Sequence, residues 1–90
     1  MAEIVETIKI KNKLGLHARP AALLVQKASK YSSNIELEND GIKVNGKSIM
    51  GVMMLAAAFG SEIKVFIDGD DAEEAFSGIK SLIDSKFDEE

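Results

Sequence analysis

Apolar residues recur along this chain with two different periods, and the switches between them mark out its elements. Ile8 and Ile10 alternate with Thr7, Lys9 and Lys11, the period-2 signature of a half-buried strand over about residues 4 to 11, and Gly15 ends it. From Ala18 to Tyr31 the apolar set Ala21, Leu24, Val25 and Ala28 falls at i, i+3, i+4 and i+7. That spacing predicts an amphipathic helix whose first turn holds Pro20, a position where a missing N–H is tolerated. Alternation returns at Ile35 and Leu37, set against Glu36 and Glu38, and again at Ile42 and Val44, set against Lys43 and Asn45, with Asn39-Asp40-Gly41 between them as a turn. This is the pattern of a β-hairpin.

A short helical run follows, from about Lys47 to Ala57, rich in Met50, Met53 and Met54 and expected to end near Gly60. Ile63, Val65 and Ile67 then alternate with Lys64 and Phe66 as a fourth strand that stops at Asp68-Gly69. In the last element Ala72, Ala75, Phe76, Ile79, Leu82 and Ile83 repeat at helical spacing behind Asp70-x-x-Glu73, which has the form of a capping box. The tail Asp88-Glu89-Glu90 is expected to fray. The order is βαββαβα, without a linker, low-complexity tract or repeat, so residues 1–90 are expected to form a single domain.

Composition narrows the function classes. The chain has 90 residues, enough for one compact core and little more. Its 15 acidic and 11 basic side chains leave a net charge of −4, which argues against a nucleic-acid partner whose phosphates would need neutralising. The absence of cysteine excludes disulfide scaffolds and thiolate metal sites, and a single histidine leaves only dispersed carboxylates as further metal ligands. No metal is therefore expected. The longest apolar stretch, Val52 to Phe59, falls far short of the ~20 residues of a membrane span, and no charged-then-apolar leader opens the chain. Direct membrane insertion is not expected, and a cytoplasmic location is.

Two stretches carry candidate chemistry. Gly41 and Gly46-Lys47-Ser48 satisfy the phosphate-loop pattern of nucleotide-binding proteins. That loop needs a glycine-rich turn between a buried strand and a helix, whereas Ile42 and Val44 are β-branched and in strand alternation, so their amides should enter a ladder. A nucleotide hydrolase is not the expected reading, even with the strand Val65-Phe66-Ile67-Asp68 nearby. The stronger stretch is Gly15-Leu16-His17-Ala18-Arg19-Pro20-Ala21, with the only histidine of the chain at a helix start. An imidazole, ordinarily titrating near 6.5, is nucleophilic when neutral and carries covalent intermediates. At a helix N-terminus a phosphoryl group on it would meet unpaired amides and the positive end of the dipole. Arg19 adds a permanently charged planar donor for phosphate oxygens, and Pro20 fixes its own φ and biases Arg19 away from helical backbone. Without those neighbours, His17 would read as an ordinary surface or capping residue.

With these residues in place the chain resembles the HPr family, the histidine-containing phosphocarriers of the bacterial phosphoenolpyruvate-dependent sugar phosphotransferase system. The resemblance covers nearly the whole chain and rests on "GLHARPAALLVQKASKY" and "VNGKSIMGVMML" in the family's order and spacing. It implies an α+β open-faced β-sandwich, a four-stranded antiparallel sheet with three helices on one face. It also implies a phosphocarrier rather than an enzyme, phosphorylated at Nδ1 of His17, the pros nitrogen, with Arg19 stabilising the phosphate and no cofactor. The implied partners are enzyme I as donor and IIA domains of the sugar systems as acceptors. Ser48, also a candidate N-cap, matches the regulatory site of members served by HPr kinase/phosphorylase. Leu16, Ala18, Pro20, Ile49, Met50 and Met53 match the partner-facing residues, and a monomer is expected. "NKLGLHARPA" and "SKFDEE" are similar also to the nitrogen-related branch, NPr, so an NPr-type or purely regulatory HPr-like protein is the alternative reading. Phe59, large and apolar in an expected turn, receives no role.

Overall fold

The computed structural model describes residues 2–88; Glu89 and Glu90 of the expected frayed tail lie outside the described residues. Four strands form one sheet: β1 (Ala2–Lys9), β2 (Asn34–Asn39), β3 (Ile42–Asn45) and β4 (Glu62–Gly69). All pairs are antiparallel and the spatial order is β1-β4-β2-β3. Three helices complete the predicted order: α1 (Ala18–Ala28), α2 (Ile49–Met54) and α3 (Ala72–Asp84).

The alternation read from the sequence is the alternation of the sheet faces. Ile63, Val65 and Ile67 of β4 are fully buried, and the register sets Ile67 beside Ile4 and Ile35, and Val65 beside Leu37. Against this face lie Ala21, Leu24, Val25 and Ala28 of α1, Val52 of α2, and Ala75, Ile79 and Ile83 of α3, all in one apolar cluster. The opposite face meets water. There Val5, Phe66 and Glu36 are in register, and the Lys43 ammonium sits 3.9 Å from the Phe66 ring centroid and 3.7 Å from Glu36 Oε1. Asp40 and Gly41 both have positive φ, 56° and 82°, the two-residue turn whose twist matches that of the paired strands.

Four local expectations change. Strand β1 ends at Lys9; Ile10 stays fully buried but leaves the ladder, its amide donating to Ser61 O and its carbonyl accepting from Gly60 N. Helix α2 spans six residues and ends at Met54, far ahead of Gly60. Its exit tightens through Leu55 N–Val52 O and Ala56 N–Met53 O bonds, and Ala56 itself turns left-handed at φ 50° so that Leu55 and Ala57 both enter the core. Arg19 is helical, because the ring of Pro20 is buried in the first turn and that packing outweighs the local bias of the residue before a proline. The N-cap of α3 is Asp71, and it makes no side-chain cap bond.

The Asp71 carboxylate instead reaches 38 and 39 residues back along the chain. It accepts from Ser32 N at 2.9 Å, Ser33 N at 3.0 Å and Ser33 Oγ, which joins the turn after α1 to the start of α3. The close approach requires Gly69, where an added Cβ would lie 2.7 Å from Ser33 Cα. These bonds, the Ser33 hydroxyl first, hold the Asp71 carboxyl at about 2, below the ordinary 3.8. A second carboxylate, Asp84, receives Lys11 Nζ at 2.8 Å and Lys80 Nζ at 2.6 Å, and those two bonds lower it as well. Beyond α3 a 3-10 turn at Lys86–Asp88 returns Phe87 to the core, and Asp88 N donates to Ser85 O.

Candidate functional site

His17 is the N-cap of α1, partly exposed, with extended backbone at φ −79° and ψ −172°. Its side chain makes no cap bond. The local sequence shapes the helix start around it. Ala21 N already donates to His17 O, and Pro20 has no N–H, so the first-turn amides without an intrahelical acceptor are those of Ala18 and Arg19. No acidic side chain stands in that turn, which leaves the positive end of the helix uncompensated by carboxylates of its own. Arg19 is exposed at the second helical position.

The loop carrying His17 is held from both sides. Asn12, fully buried, donates through Nδ2 to Gly15 O at 2.7 Å, and Gly15 N donates to Asn12 O. Leu16 N then donates to Ala57 O at 2.9 Å. Gly15 lies so close to the α2 exit that an added Cβ would fall 2.4 Å from Ala57 O, and its φ of 68° is one that glycine adopts without strain. The residue before His17 is thereby bonded to the segment that leaves α2, while α1 packs on α2 itself.

Helix α2 begins with Ser48 as N-cap, its Oγ accepting from Gly51 N at 3.1 Å, as its residue type predicts. The phosphate-loop reading has no cradle to support it. Gly41 belongs to the hairpin turn, Ile42–Asn45 are paired as β3, and Gly46 N is spent on Ile35 O at 2.8 Å. Lys47 Nζ is bonded to Tyr31 O at 2.7 Å, in the segment that follows α1. The pattern is distributed over a turn, a strand and a corner, each with its own backbone partners.

The expected partner-facing residues separate into two groups. Ile49 (45 % exposed), Met50 (76 %) and Met53 (43 %) lie outward, and Ala18 is exposed. Leu16 is only 4 % exposed and Pro20 is fully buried, so neither offers a surface; both anchor the His17 segment in the core. Five further large apolar residues are exposed: Val5 and Ile42 on the sheet, Met54 on α2, and Leu14 and Phe59 on the two segments that meet at the Gly15–Ala57 contact. Phe59 carries a signal in the sequence, a large apolar side chain beside a turn glycine, and Met54 another, a methionine next to Met53 on a helix that buries only Val52. Among the described residues no group of His, Asp and Glu could hold a metal ion, and no helix is long and apolar enough to cross a membrane.

Comparison with known proteins agrees with the sequence and with the fold. The family model described as "PTS HPr component phosphorylation site" matches residues 4–85. The phosphocarrier protein HPr of Treponema pallidum is 51 % identical over 87 residues, covering 97 % of this chain and 99 % of that protein. The crystal structure of HPr-C-His from Thermoanaerobacter tengcongensis superposes with a TM-score of 0.91 at 58 % identity, covering 100 % of this chain and 99 % of that one. A structure described as an HPr dimer from the same organism gives 0.76 at 57 % identity, covering 97 % and 98 %, so likeness to such structures does not support the expected monomer. By sequence, by strand order and by the placement of the motif around His17, this chain belongs to the HPr family of phosphotransferase-system phosphocarriers.

Proposed function

We propose that the chain accepts a phosphoryl group on Nδ1 of His17 from phosphorylated enzyme I, charged in turn by phosphoenolpyruvate, and passes it to IIA domains of sugar transporters. The observation that carries this reading is the position of His17 as the partly exposed N-cap of a helix whose first turn holds Arg19 and no carboxylate. In the transfer the lone pair of the imidazole nitrogen forms the N–P bond as the bond from phosphorus to the donor breaks. Release to the acceptor is the same step reversed. Such transfers depend on positioning and on stabilising charge spread over the phosphoryl oxygens. The amides of Ala18 and Arg19, the helix dipole and the Arg19 guanidinium supply that stabilisation. Ile49, Met50 and Met53 form the face on which donor and acceptor dock, and Ser48, beside that face, is a regulatory phosphorylation site.

The test is incubation with phosphoenolpyruvate and enzyme I. One acid-labile phosphoryl group per chain is expected, absent from His17→Ala, which should fold normally because His17 is partly exposed and lies outside the buried core. A His17→Ala protein that still accepted the group would overturn the assignment.

A further inference from the structure

Three of the four methionines of this chain fall within five residues, at 50, 53 and 54, and the chain has no cysteine. All three are exposed: Met50 at 76 %, Met54 at 65 % and Met53 at 43 %. The sulfur chemistry of the described residues is therefore concentrated on one face of α2. The residue by which α2 holds to the core is Val52, fully buried and without sulfur. From these placements we infer that Met50, Met53 and Met54 are a reversible oxidation site, taking hydroperoxides as co-substrate, through which oxidation weakens docking without unfolding the protein. The inference rests on the proposed docking role of this face.

The chemistry is balanced and needs only access. A lone pair of the thioether sulfur attacks one peroxide oxygen, the O–O bond breaks, an S–O bond forms, and the departing hydroxide or alkoxide takes a proton to leave as water or alcohol. Sulfur loses two electrons and the peroxide gains them. The product exchanges a flexible apolar tip for a polar, chiral one. In the free protein the sulfoxide oxygen stays hydrated, so the fold, anchored through Val52 and Leu55, is unaffected. In a docked complex the same oxygen must shed water without an assured donor, and the cost falls on association alone. Isoleucine, which also lies on this face at Ile49, has no such chemistry, so the patch retains part of its apolar area after oxidation.

The full chain is treated with hydrogen peroxide, the oxidised residues are mapped by peptide mass, and phosphorylation of His17 by enzyme I is followed over a range of enzyme I and chain concentrations. We expect one added oxygen on each of the three methionines, an unchanged circular dichroism spectrum, and a KM for this chain raised about tenfold with kcat nearly constant. Methionine sulfoxide reductases of both epimer specificities should restore the KM. Sulfoxide at these residues with an unchanged KM overturns the inference, as does a loss that accompanies unfolding or that the reductases leave in place. Met50→Glu separates this from the docking reading. If that substitution raises KM and the sulfoxides do not, the docking face stands and the oxidation site falls; if neither does, both fall.

Discussion

Helix α3 buries Ala72, Ala75, Ile79 and Ile83 and turns Glu73, Glu74, Lys80 and Ser81 to water, whereas α2 buries only Val52 and leaves Ile49, Met50, Met53 and Met54 outside. In α3 hydrophobicity and burial coincide, and its neighbourhood answers its own polar groups: Asp71 is bonded by Ser32 and Ser33, Asp84 by Lys11 and Lys80. In α2 they diverge, and four of its apolar side chains remain exposed. A scattered exposed leucine would mean little, since folded proteins carry much apolar surface. Four such residues on one six-residue helix, beside the segment that positions His17, form the exposed apolar surface on which the proposed docking rests. The contrast separates side chains that hold the fold from those on which the proposed docking depends.

The largest test of that separation is a pair of truncations. Ile79→Ala removes atoms from the fully buried stripe of α3 and should cost about 2–5 kcal/mol in denaturant unfolding. Transfer measured per folded molecule should be unchanged. Met50→Ala should stay within about 0.5 kcal/mol of the parent, as surface substitutions do, while weakening the encounter with enzyme I. Equal destabilisation by the two would mean that Met50 belongs to the core and that the contrast between the helices is false.

The same contrast explains how far the sequence could be read. Ile63, Val65 and Ile67 announce their face by strict alternation, and α3 announces its own by helical spacing, because in both the pattern and the burial have one cause. Asn39-Asp40-Gly41 fixes the hairpin because the left-handed turn requires residues of that kind. What failed depends on distant partners. Asp70 and Glu73 fit a local cap pattern, yet the carboxylate that matters is Asp71, and its ligands are serines 38 and 39 residues away that no periodicity links to it. Leu14 and Leu16 stand two apart in one loop, and only the Leu16 N–Ala57 O bond and the Gly15 approach decide that Leu16 turns inward and Leu14 outward. The placement of His17 and Arg19 at a helix start was legible for another reason: Pro20 and the helical spacing of Ala21, Leu24, Val25 and Ala28 are written beside them.

A smaller effect probes the stapled end of the molecule through pH. The folded carboxyl of Asp71 lies at about 2, below its ordinary 3.8. Because the folded value is depressed, its contribution to stability is fully present above about pH 4 and is lost as pH falls through about 2. Asp71→Asn should lower the melting temperature at neutral pH and remove this part of the acid sensitivity, so that parent and variant converge as pH approaches 2. Transfer through His17 should be untouched, since the Asp71 contacts join the other end of α1 to α3. Curves that stay parallel from pH 5 to 2 would show that the Ser32 and Ser33 bonds do not act through the ionised carboxylate.

The last comparison lies where the two regimes meet, at Ser48, which caps α2 through its oxygen and adjoins the proposed docking face through its position. Ser48→Ala removes the acceptor for Gly51 N and should cost about 1 kcal/mol, felt mainly by α2 because so short a helix depends on its cap. Ser48→Asp keeps a side-chain oxygen within reach of that amide and places negative charge at a helix N-terminus, so it should lose little or no stability. Docking reverses the order. The Ala protein leaves the apolar face of Ile49 and Met50 uncharged and should accept phosphate at His17 at close to the parent rate. The Asp protein sets a hydrated charge beside surface that must be desolvated on binding, and should accept it more slowly, with the difference carried by KM. Leu16, the residue before His17, bonds to Ala57 at the exit of α2, whereas Ser48 stands at its entry beside Ile49 and Met50, so the proposed effect of the charge is on docking. If Ser48→Asp is as unstable as Ser48→Ala yet transfers as fast as the parent, the hydroxyl is a cap and nothing more, and the regulatory reading of Ser48 fails while that of His17 stands.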